Sequence, residues 1–104
     1  MSGLIDLRES PSGKAIAAYC CDQAQALGLT LGVAGVEARQ EEGQEEYYVV
    51  HMSIIEPFRE GMESPTYTRA QVEGYATGDT KNTIQRDIRA LLENAKQDWQ
   101  MQNP

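Results

Sequence analysis

Glu45–Ile55, EEYYVVHMSII, is the stretch whose reading decides the fold. β-Branched and aromatic residues alternate through it, the pattern of a pleated, half-buried strand. Tyr48, Val50, Met52 and Ile54 point one way, and Tyr47, Val49, His51, Ser53 and Ile55 the other. The segment is expected to be the central strand of a small sheet, with the even residues in the core.

The preceding segment, Leu29 to Gln40, alternates too, but its phase changes. Leu29, Leu31 and Val33 are apolar at odd positions, Val36 and Ala38 at even ones. A strand changes phase only by inserting a residue, so a β-bulge is expected at Ala34–Gly35. The acidic loop between the two strands, centred on Gly43, then pairs Ala38 with Tyr48 and Val36 with Val50. Beyond the bulge it sets Val33 against Met52 and Leu31 against Ile54, all on the core face.

On the other side, Pro57 closes the central strand, because it cannot donate to a ladder. Residues 56–66 form a long connection whose apolar anchors are Phe58 and Met62. Tyr67 to Thr77, YTRAQVEGYAT, alternates again and is expected to be the third strand. Ala70, Val72, Gly74 and Ala76 would face inward, and Tyr67, Arg69, Gln71, Glu73 and Tyr75 outward.

Two helices flank these strands. Ser10-Pro11 is a good helix start, and Ile16, Cys20, Ala24 and Leu27 form one stripe before Gly28, giving a helix over roughly 12–27. Gly78-Asp79-Thr80 turns the chain into a second helix, with Ile84, Ile88, Leu91, Ala95 and Trp99 at helical spacing through about Met101. Arg86, Arg89, Glu93 and Lys96 take its solvated side, and the last residues are expected to fray.

The sequence therefore reads as an arm over residues 1–9 and a single α+β domain over 10–104, in the order α-β-β-β-α. A three-stranded antiparallel meander carries two helices packed on one face. That order resembles the double-stranded RNA-binding domain, and GDTKNTIQRDIRALLENA, residues 78–95, falls where that domain joins its third strand to its last helix. The resemblance implies a nucleic-acid-related module, but the basic run such domains carry there is reduced to Lys81 and Arg86.

Charge argues the other way. The 104 residues carry a formal net charge of −7. Nucleic-acid binding needs clustered Lys and Arg to release counterions, and an anionic membrane surface makes the same demand. Such a chain is suited instead to a protein partner, a basic one included. The N-terminal MSGLIDLRES shows no basic leader or long apolar run, and the adjacent Cys20 and Cys21 cannot staple a secreted scaffold. A cytoplasmic location is expected.

Candidate chemistry is sparse. His51 is the sole histidine, and Cys20 and Cys21 lie on the first helix, across the sheet from it. A catalytic role would need His51 to meet a carboxylate such as Glu73 in a cleft. A zinc site wants four ligands, which two adjacent cysteines and a distant histidine do not supply. One cysteine is expected in the core and the other near the helix edge. The turn holding Gly78 and Lys81 departs from a P-loop, whose lysine follows glycine. No cofactor and no enzymatic activity are expected.

What remains is surface. Tyr47, Val49, His51, Ile55, Tyr67, Arg69 and Tyr75 would be displayed together on the open sheet face, and aromatic side chains with an arginine are the composition of a protein interface. Cover by Leu4, Ile5 and Leu7 of the arm is the competing account of that face. Glu41, Glu42, Glu45 and Glu46 crowd one hairpin tip, where the role would be electrostatic. The sequence thus points to a small acidic, non-enzymatic interaction module, an adaptor or inhibitor of the kind mobile elements encode, binding a protein partner or a second copy of itself.

Overall fold

In a computed structural model, which describes residues 10–102, the central strand is where the alternation puts it. The chain runs α1 (Pro11–Ala26), β1 (Thr30–Arg39), β2 (Tyr47–Glu56), β3 (Glu60–Glu63), α2 (Arg69–Thr77) and α3 (Lys81–Gln102). The sheet is antiparallel throughout, in the order β1-β2-β3. Tyr48, Val50, Met52 and Ile54 are fully buried. They join Ile16, Cys20 and Ala24 of α1, Val72 and Tyr75 of α2, and Ile84, Ile88, Leu92 and Ala95 of α3 in one cluster. The class is α+β, with the helices against the core face of a three-stranded meander. The expected arm over residues 1–9, its cover of the sheet through Leu4, Ile5 and Leu7, and the fraying of residues 103 and 104 lie outside the described residues.

The hairpin register follows the expected arithmetic up to the bulge. Ala38 opposes Tyr48 and Val36 opposes Val50, and beyond the bulge Leu31 opposes Ile54, also as expected. The extra residue is Gly32 rather than Ala34–Gly35, so Ala34, not Val33, stands against Met52. Gly32 can take the bulge because it has no side chain: a Cβ there would lie 2.8 Å from Ile55 Cγ2. The displacement moves Val33 off the core face and leaves it 55% exposed.

The third strand is a correction. Glu60–Glu63 pairs with β2, setting His51 against Glu63 and Met52 against Met62. Tyr67 makes only an isolated bridge to Tyr48, after which the chain turns helical. Thr68 accepts from the Gln71 amide N–H while the Gln71 side chain accepts from Thr68 N–H, a complete capping box. Within the turns that follow, Val72 and Tyr75 bury at helical spacing, whereas Ala70 and Ala76 are exposed. Their alternation with polar neighbours comes from the short period of the segment, not from a pleat. Gly78 closes α2 in the left-handed region at φ 97°.

Polar links tie the helices to one another. Ser12 Oγ, buried at the start of α1, donates to the Glu73 carbonyl at 3.0 Å and accepts from Ala76 N–H at 3.1 Å. Lys96 Nζ donates to the Leu27 carbonyl at 2.7 Å, placing a cation at the C-terminal end of α1. Phe58 and Trp99 stack with centroids 5.2 Å apart, which anchors the β2–β3 turn to the end of α3. On α3 the buried residue of the third turn is Leu92, with the expected Leu91 partly buried beside it. Cys20 is buried and Cys21 exposed, as the helical spacing implies. Burial pushes the Cys20 thiol up to about 12.

Two stability outcomes follow from these contacts. Gly32→Ala is expected to cost about 1–3 kcal/mol in urea unfolding through overpacking against Ile55. Most of that loss should return when Ile55→Ala is combined with it, while Gly35→Ala, with nothing within 4 Å of its new Cβ, serves as the unhindered control. Ser12→Ala should cost about 1–3 kcal/mol, because it removes both hydrogen bonds through which the buried hydroxyl ties α1 to α2.

Candidate functional site

The face of the sheet turned away from the helices is built by register. On β2 the odd residues Tyr47, Val49, His51 and Ile55 share that face, alternating with the buried even ones. Beyond the Gly32 bulge, β1 puts its odd residues there too. Arg39 opposes Tyr47, Glu37 opposes Val49, and Gly35 opposes His51. From the other side β3 brings Glu63 directly opposite His51. Three strands thus contribute Glu37, Arg39, His51 and Glu63 to one patch at the middle of the sheet.

Their geometry is that of a charge cluster. The Arg39 guanidinium forks onto both oxygens of the Glu63 carboxylate, with Nη1 to Oε1 at 2.9 Å, and its Nη2 reaches Glu37 Oε2 at 3.3 Å. A bidentate fork is the strong form of this interaction. Arg39 accordingly holds the Glu63 carboxyl below the ordinary carboxylate range, and its own guanidinium is further stabilised in the charged form. His51 Nδ1 stands 3.6 Å from Glu37 Oε2 and 3.6 Å from Glu63 Oε2. Both separations exceed a hydrogen bond, and this buried nitrogen has no hydrogen-bond partner among the described residues. The Glu37, His51 and Glu63 donor atoms all lie within 4.8 Å of one another.

An open depression of about 660 Å³ adjoins the cluster, lined by the β1 residues 32–37 with Arg39 and His51. Ile55 is 37% exposed at the far end of the same face. Val49 is buried there although it lies outside the helix-packed cluster. Tyr47 is half-buried, and its hydroxyl donates to Glu41 Oε1 at 3.4 Å.

Of the seven residues expected on this face, Tyr47, Val49, His51 and Ile55 are on it. Tyr67, Arg69 and Tyr75 are not, because their segment is a bridge and a helix rather than an edge strand. Tyr67 is in the core, and its hydroxyl donates to Asp87 Oδ2 at 2.6 Å. Tyr75 is likewise in the core, where its hydroxyl accepts from Gln85 Nε2 at 3.0 Å. Desolvation is the first cause raising both phenols. Arg69 lies on α2 and pairs with Glu73 at 2.8 Å, so Glu73 is engaged there and it is Glu37 and Glu63 that approach His51. At the hairpin tip Glu41, Glu42 and Glu45 are exposed and Glu46 is half-buried.

Glu37, Arg39 and Glu63 are the residues that sequence reasoning missed. The first two were within reach, since pairing Val36 with Val50 and Ala38 with Tyr48 already sends Glu37 and Arg39 to the face of Val49 and Tyr47. Glu63 carried no comparable signal, because a four-residue strand inside a Pro- and Gly-punctuated connection has too few positions to show a period.

Compared with protein-family models, curated proteins and solved structures, the chain finds no match. The observed order also differs from the double-stranded RNA-binding arrangement by α2, which stands between the last strand and the last helix. No helix among the described residues is long and apolar enough to cross a membrane.

The Arg39 fork sets an acid dependence. A carboxyl whose folded value is depressed contributes stability that is present above its unfolded value and lost as pH falls through the folded one. Arg39→Gln is therefore expected to move the Glu63 titration upward, towards the ordinary carboxylate range. Carboxyl carbon shifts followed from pH 7 into the acid range check this, and an unmoved titration would contradict the fork.

Proposed function

We propose that this chain is a small acidic, non-enzymatic interaction module that binds a protein partner, or a second copy of itself, through the open face of its sheet. The observation that carries this reading is the composition and support of that face. Val33 and Ile55 are exposed together at one end of it, and the Glu37–Arg39–His51–Glu63 cluster lies between them and Tyr47. Exposed apolar positions beside a charged group that can exchange partners suit recognition better than storage of surface charge. The face is also held rigid from behind by the buried even residues of β2, so little order has to be imposed on binding. An adaptor or inhibitor is the role such a face serves in a chain of this size, and the acidic tip at Glu41, Glu42, Glu45 and Glu46 would steer a basic partner towards it.

The test uses sedimentation for self-association and affinity capture with cross-linking from the native host for other partners. Val33→Asp combined with Ile55→Asp is expected to weaken whichever complex the wild type forms by at least tenfold. Arg69→Ala on α2 should leave it unchanged. A wild type that stays monomeric and captures nothing, or a complex insensitive to the paired aspartates, defeats the proposal.

A further inference from the structure

The charge cluster on the open face contains an arrangement that protein recognition does not require. His51 Nδ1 is buried and unpartnered among the described residues, and it sits equidistant, at 3.6 Å, from one oxygen of Glu37 and one of Glu63. That distance is too long for a hydrogen bond, yet the nitrogen is flanked by two acceptors. Two donors bound to one tetrahedral zinc at about 2.1 Å stand about 3.4 Å apart. The spacing from Nδ1 to each oxygen is close to that edge, and all three donor atoms lie within 4.8 Å of one another.

We infer that Glu37, His51 and Glu63 form a three-ligand site for a borderline divalent cation of the zinc type, with a fourth position open to the depression along β1. This goes beyond the interaction proposal and stands on separate observations. The ligands come from three neighbouring strands whose pairing fixes them: Glu63 is directly across from His51, and Glu37 is diagonal to it on the opposite side. Gly35, which faces His51 on β1, has nothing within 4 Å of where a Cβ would be, so this side of the imidazole is clear of side chains.

Arg39 defines the selectivity. Its guanidinium engages both carboxylates, so an incoming cation must displace or share this resident charge. Magnesium and calcium prefer all-oxygen shells and gain little from a single imidazole, so they compete poorly with the fork. A zinc-type ion gains the imidazole nitrogen as well, and that bond is what the guanidinium cannot make. Arg39 thus acts as a positioning residue that orients the carboxylates and also opposes the metal's charge.

Because His51 is the sole histidine, its imidazole nitrogens report binding without ambiguity. The experiment titrates zinc chloride into the 15N-labelled full chain carrying Cys21→Ser, which removes the exposed thiol as a rival ligand. The expected result is a saturable shift of His51 Nδ1 at one equivalent. Calorimetry should show affinity falling at least tenfold in Glu63→Gln and in Glu37→Gln, rising severalfold in Arg39→Gln, and undetectable binding of magnesium. An unshifted Nδ1, coordination through Nε2, or zinc affinity in either glutamine variant equal to that of the unsubstituted ligand set would overturn the assignment. The titration of the unsubstituted ligand set needs no destabilised variant, so misfolding of any one mutant cannot decide the outcome.

Discussion

The pairing of β1 with β2 constrains everything else in this molecule. Period-2 alternation means that a slip of one residue exchanges the two faces completely. The register is continuous from the hairpin loop to Val33, and it makes Val36 and Ala38 face the helices while Glu37 and Arg39 face away. The same alternation turns Val33 outward, and a Cβ on the neighbouring Gly32 would meet Ile55 Cγ2 at 2.8 Å. The core face of β1, the exposed Val33 and the strand's share of the charge cluster are therefore consequences of one hairpin register, which is interrupted only beyond Val33.

The two faces are stabilised by different physics. Behind the sheet, burial of aliphatic and aromatic side chains dominates, and several polar groups drawn in with them are satisfied locally: Tyr67 by Asp87, Tyr75 by Gln85, Ser12 by the backbone of α2. In front, the stabilising element is an exposed ion pair, which contributes little to folding because solvent screens it. A surface network of that kind can be rearranged at small cost to the fold, which suits it to binding rather than to holding the structure together.

Much of the architecture was legible in the sequence. The hairpin could be read almost residue by residue because both strands are long enough to show their period and Gly43 fixes the centre of the loop. α1 and α3 were readable from stripes anchored by Ile16, Cys20 and Ala24, and by Ile84 and Ile88. The misreading of Tyr67–Thr77 has a specific cause. Small residues at alternate positions imitate a pleat, while the decisive information was the spacing of Thr68 and Gln71, a helix start that hydropathy does not register. That error carried Tyr67, Arg69 and Tyr75 onto the wrong surface and left the true edge strand unnoticed. The candidate site was accordingly only half visible. His51 and Tyr47 could be placed from β2 alone, whereas Glu63 depends on a tertiary pairing that four residues cannot announce.

The adjacent cysteines have a use that their neighbouring positions conceal. Alkylating reagents attack the thiolate, so a thiol that is buried and raised to about 12 is shielded twice, by access and by protonation. Cys21, one residue on and exposed, has no such steric protection. Once Cys21 is blocked or replaced, modification of Cys20 should track the opening of α1 from the sheet. The chain carries its own timer for that event, at the centre of its core and without any added label.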